Sequence, residues 1–93
     1  MVKLVKIAAA KDFSKKYTAF FSDGTQTSFG DSTMEDYTQH HDLQRREAYR
    51  SRHRKDLETN DPKRAGYLSR YLLWGNSTSL AANIKEYKKR FGM

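Results

Sequence analysis

Apolar and polar positions alternate through the first third of the chain and recur every three or four residues beyond it. Leu4–Ala8 reads as a short strand. Lys16–Ser22, Asp23-Gly24 and Thr25–Gly30 predict a hairpin, because Asp-Gly tolerates the positive φ angles of a two-residue turn. Pairing Ser22 with Thr25 sets Phe20 opposite Thr27 and Thr18 opposite Phe29. Phe20 and Phe29 then share the expected core face, while Tyr17, Ala19 and Phe21 share the other, either covered by neighbouring elements or open as a binding platform.

Gly30-Asp31-Ser32-Thr33 marks the change from strands to helices, with Ser32-Thr33-Met34-Glu35 supplying capping chemistry for a short helical turn through Tyr37. A long helix is expected from Asp42 to Leu57. Asp61 as N-cap and Pro62 as first helical residue predict another, running to Trp74 and stopped by Gly75-Asn76-Ser77. Ser77 or Ser79 then caps a last helix on which Leu80, Ile84, Tyr87 and Phe91 form an apolar stripe, ended by Gly92. With no internal repeat or linker, residues 1–93 are expected to form one α+β domain: a small antiparallel sheet, made of the hairpin and the N-terminal strand, followed by about three helices.

Ninety-three residues support only a small core, for which Tyr17, Phe20, Phe29, Tyr67, Tyr71, Trp74, Tyr87 and Phe91 are the large candidates. The chain has no cysteine, which removes disulfides and cysteine zinc sites as sources of stability. No apolar run approaches the roughly 20 residues of a membrane span, and lysines interrupt the start, so the expected setting is soluble, intracellular or particle-bound and not secreted.

The net charge of +7 is concentrated in two stretches. Asp42–Lys55 sets Arg45, Arg46, Arg50, Arg52, Arg54 and Lys55 against Asp42 and Glu47, and Lys85–Arg90 sets Lys85, Lys88, Lys89 and Arg90 against Glu86. The remaining charges balance, so the pattern is that of a surface meeting an acidic partner. On the first basic helix, Arg46, Arg50 and His53 fall in the same arc as Leu43, Tyr49 and Leu57 and should face the domain. Their expected partners are backbone carbonyls or the carboxylates of Asp31, Asp36 and Asp42. Arg45, Arg52 and Lys55 point away from that arc and, with Arg54, Lys85, Lys88, Lys89 and Arg90, are the candidate contacts to a partner or to phosphate.

No catalytic constellation is legible. His40, His41, Asp42 and His53 are donors of the right type for a metal, but their spacing does not assemble a site, and no metal or other cofactor is expected. Ser32, His40 and Asp42 lack an elbow and an oxyanion hole, and Gly24, Gly30 and Gly66 form no phosphate loop.

Taken in series, Phe29-Gly30-Asp31, Met34–Thr38, Arg45-Arg46, Tyr49, Arg52-His53, Asp56, Asp61–Ser69, Leu73-Trp74-Gly75 and Tyr87–Phe91 resemble a family of small basic proteins of large double-stranded DNA viruses of algae and protists. The resemblance runs from Lys16 to Phe91. It implies a viral particle or infected cell as the setting and supplies no mechanism.

Three classes compete. A virion structural protein of the minor capsid type would clamp acidic surfaces of neighbouring coat proteins. A sequence-nonspecific nucleic-acid binder, for DNA or RNA, would set the same cations against phosphates. A metal-dependent nuclease is the weakest. No reading head for specific bases is visible, and arginines spent on the domain's own core leave less charge for phosphates, which favours the structural, non-enzymatic reading. Outward clustering of the arginines would favour nucleic acid; inward pairing with Asp31, Asp36 and Asp42 would favour the structural part.

Overall fold

The computed structural model describes residues 2–93. A three-stranded antiparallel sheet in the order β1 (Leu4–Ala9), β2 (Lys15–Phe21), β3 (Gln26–Asp31) leads into a helical half. That half comprises α1 (Tyr37–His40), α2 (Leu43–Arg52), a 3₁₀ turn (Arg54–Thr59), α3 (Ala65–Leu68) running directly into a π-helical turn (Ser69–Leu73), and α4 (Leu80–Phe91). The α+β architecture and the element order agree with the pattern of the sequence. Among the described residues no helix is long and apolar enough to cross a membrane.

The hairpin closes one residue out of the expected register. Tyr17 pairs with Phe29, Ala19 with Thr27 and Phe20 with Gln26. The loop is three residues, Ser22-Asp23-Gly24: Phe21 N–H donates to the Thr25 carbonyl (3.0 Å), and Gly24 takes φ +87°. A turn followed by a left-handed glycine bulge thus replaces the two-residue turn. Because side chains alternate along a strand, the slip exchanges the faces opposite Phe29. Phe21 and Ala19 are buried with Phe29, whereas Phe20 lies on the outer face under the Lys6 ammonium, 4.9 Å from its ring centre.

The helical boundaries also shift. Asp36, not Ser32 or Thr33, caps α1, in a capping box with Gln39. The helix expected to reach Leu57 ends at Arg52 and tightens into the 3₁₀ turn, and at its other end Leu43, placed by the helical period on the inward arc, is exposed. Asp61 accepts from the Lys63 N–H (3.0 Å) in a local turn, and α3 starts only at Ala65. The π turn is closed by the Trp74 N–H donating to the Ser69 carbonyl (3.0 Å). A regular helix sweeps about 100° per residue and would carry consecutive side chains around to solvent. Leaving that path, the chain buries Leu72, Leu73 and Trp74 in succession.

These three join Leu4, Ala19, Phe21, Phe29, Leu68 and Tyr87 in one cluster connecting sheet and helices. On α4 the expected stripe packs inward, Ser79 supplies the N-cap, and Gly92 closes the helix in the left-handed region. Asn83 is as buried as the aromatic residues. Its Nδ2 donates to the Leu72 and Ser77 carbonyls (2.9 and 2.8 Å) while its Oδ1 accepts from the Ser77 N–H (3.0 Å). Gly75 is fixed by this contact, since a Cβ there would collide with the Tyr71 carbonyl and come within 2.8 Å of the Asn83 amide.

Candidate functional site

Asp42 starts α2 by accepting from the Gln44 and Arg45 N–H groups (3.0 and 3.2 Å). The helix is held sideways by rings: Tyr49 stacks on Trp74 at 4.3 Å and 5°, His53 stacks on Tyr49 at 4.2 Å, and His40 lies 5.3 Å from Trp74. Arg46 and Arg50 turn inward, as their positions on the helix predict. Arg46 Nη1 donates to the Gly75 carbonyl (3.3 Å), and Arg50 Nε donates to the Trp74 carbonyl (2.9 Å). Glu47 takes the remaining charge: Arg46 Nε and Nη2 donate to its Oε1 (3.0 and 2.7 Å), and Arg50 Nη1 lies 3.7 Å from the same oxygen.

The acidic partners named from the sequence are engaged elsewhere. Asp31 accepts from the Thr33 N–H (2.9 Å), Asp36 pairs with Lys16 Nζ (2.6 Å) besides capping α1, and Asp42 is the cap of α2. Each carboxylate is claimed by an N–H group two or three residues ahead, at far smaller cost in chain entropy than a distant arginine would require. His53 joins the ring stack on Tyr49, but its Nδ1 lies 3.2 Å from Asp56 Oδ2 and pairs with none of Asp31, Asp36 and Asp42. The inward arginines are therefore braces on backbone carbonyls, and among the described residues Glu47 is their only carboxylate.

Beyond them, Arg50 Nη2 donates to Asn76 Oδ1 (3.2 Å), and Asn76 Nδ2 donates to Glu86 Oε1 (2.7 Å). This relay ties α2 to α4 and so links the two basic stretches. Arg45, Arg52, Arg54, Lys55, Lys85, Lys89 and Arg90 are exposed, and Lys88 is half-buried. Among the described residues the ion pairs fall on Lys16, Arg46, Arg50, His53, Lys63 and Arg64, so none of these eight cations is answered by a carboxylate.

Residues 5–53, which comprise the sheet apart from Leu4, α1 and all of α2, match DUF5754, described as a family of unknown function. The chain belongs to this family. No curated protein matches it, and no solved structure does. The DUF5754 segment contains the braces Arg46 and Arg50 but ends before their acceptors at Trp74, Gly75 and Asn76.

Two features escaped the sequence reading. A cleft of about 480 Å³ opens between the ends of β2 and β3 and the Tyr49–His53–Trp74 stack, with Lys15 and Arg52 among its lining residues. Its walls come from segments far apart in the chain, and nothing in their spacing announces a cavity. The second is Arg70, an isolated cation in an apolar stretch, which the π turn brings beside Arg90 on the ring of Tyr71. Phe13, at 96% exposure the most open large apolar side chain among the described residues, stands in the β1–β2 connection.

Proposed function

We propose that this chain is a small, non-enzymatic, virion-associated structural protein, of the minor capsid type, that holds acidic surfaces of neighbouring proteins in a large DNA virus. The observation that carries the reading is the division of labour along α2. Arg46 and Arg50 are consumed in fixing the helix to the 74–76 segment, while Arg45 and Arg52 on the braced helix and Arg54 and Lys55 in the 3₁₀ turn after it are in no ion pair among the described residues. Cations held on a fixed frame lose less entropy when they meet a complementary face. Phe13, Val5 and Leu43 add exposed apolar anchors, which protein interfaces use and phosphate backbones do not require. The viral setting rests on the resemblance of the sequence motifs.

A nucleic-acid reading is favoured by two observations: among the described residues the outward cations have no carboxylate partners, and Arg46 and Arg50 do not pair with Asp31, Asp36 or Asp42. Against it, Glu47, Asp56, Glu58 and Glu86 are interspersed with them. Binding to a random DNA duplex and to poly-glutamate across a salt series separates the two. A DNA slope on log–log axes shallower than about −3, with salt-sensitive binding to poly-glutamate, supports the structural protein. A steeper slope with sub-micromolar affinity at moderate salt establishes phosphate binding instead. Mass spectrometry of salt-washed, nuclease-treated particles tests the setting, and absence of the chain from them overturns it.

A further inference from the structure

We propose that Arg70 and Arg90, both lying against the Tyr71 ring, form a binding site for a small phosphate, either free or as a terminal monoester. This site is separate from the outward face of α2 and does not depend on the docking reading.

The guanidinium carbons of Arg70 and Arg90 lie 4.6 and 5.2 Å from the Tyr71 ring centre. A cation–π contact with the Tyr71 ring uses none of their N–H groups, and both arginines line the same recess beside that ring. Arg46 and Arg50 donate to protein acceptors, but among the described residues Arg70 has neither an ion pair nor a hydrogen-bond acceptor. Arg70 lines a recess of about 50 Å³ together with Tyr71, Gly75, Asn76, Glu86 and Arg90 among others. That volume is on the order of a few oxygen-sized groups, the scale of a phosphate's terminal oxygens.

The charge balance points the same way. Arg46 and Arg70 act on Arg50, and Arg46 and Arg90 act on Arg70, while among the described residues Glu47 and Glu86 are the carboxylates that oppose them. Burial is the main cause lowering the pKa of Arg70 and Arg50, and neighbouring arginines push in the same direction. A guanidinium stays protonated regardless, so the cluster retains a repulsion that an oxyanion in the recess would relieve. Glu86 is the one wall residue of the wrong sign, and its Oε1 is engaged by Asn76 Nδ2 at 2.7 Å.

Titration of the full chain with inorganic phosphate and with glycerol 3-phosphate, followed by the arginine Nε–H resonances at matched chloride, tests the site. Saturable shifts at Arg70 and Arg90 are expected. If glycerol 3-phosphate saturates as well as phosphate, the source is a terminal monoester; if only phosphate does, it is the free ion. Arg70→Gln should weaken binding about tenfold or more, and Glu86→Gln, which removes the opposing charge at an exposed position, should tighten it. Shifts that never saturate, that chloride reproduces, or that dimethyl phosphate matches in affinity would overturn the proposal, as would unchanged affinity in a folded Glu86→Gln variant.

Discussion

The Arg50 guanidinium donates to the Trp74 carbonyl at 2.9 Å, and the ring of the same Trp74 stacks at 4.3 Å on Tyr49, the residue before Arg50. One helix thus holds one residue by its backbone and its side chain together. Trp74 closes the π turn, so the orientation of α2 is coupled to the way α3 ends. A short helix carrying this much like charge gains little from its own propensity and needs such tertiary fixation.

Arg50→Ala should destabilise the fold by about 2 kcal/mol, because the partly buried Trp74 carbonyl loses its donor and the exposed bond to Asn76 Oδ1 is lost with it. In a domain of this size that corresponds to a fall in thermal midpoint of roughly 10 °C. An unchanged midpoint would show that the stacked rings suffice without the brace.

Burial, with the charge of Asp61 adding to it, raises the pKa of the Tyr87 hydroxyl far above its ordinary 10.0, and the hydroxyl donates to the Pro62 carbonyl at 2.5 Å. The unfolded chain releases this proton near pH 10 while the folded chain keeps it, so the associated stability is complete below pH 10 and is lost as pH rises beyond it. Chemical denaturation from pH 9 to 12 should therefore show a steeper loss for the natural chain than for Tyr87→Phe. Parallel curves would mean that Tyr87 ionises without unfolding.

Lys88→Glu combined with Lys89→Glu should abolish binding to an acidic partner while leaving the thermal midpoint nearly unchanged, since neither lysine is in an ion pair among the described residues. Retention of full affinity after both charges are reversed would take α4 out of the interface.

The inward turn of Arg46 and Arg50 was legible because a helical period places them beside Tyr49. Their acceptors were not, because a carbonyl at position 74 or 75 has no signature in composition or spacing. The same gap misplaced Asp31, Asp36 and Asp42. Opposite charges in neighbouring segments suggest pairing, but each carboxylate had a nearer use in starting a turn or helix. Arg70 escaped for the converse reason: one cation amid apolar residues carries no pattern until Tyr71 and Arg90 are beside it.

By itself the sequence determined the order of strands and helices, the hairpin at Asp23-Gly24, the stripe and stop of α4, and the two concentrations of positive charge. All of these depend on residues within a few positions of one another. The one-residue slip that buries Phe21 in place of Phe20, the π turn that buries Leu72, Leu73 and Trp74 in succession, and the docking of α2 on the 74–76 segment were decided only by the tertiary structure. Each is settled by which distant surfaces fill the shared core at close packing, and local propensities do not contain that quantity.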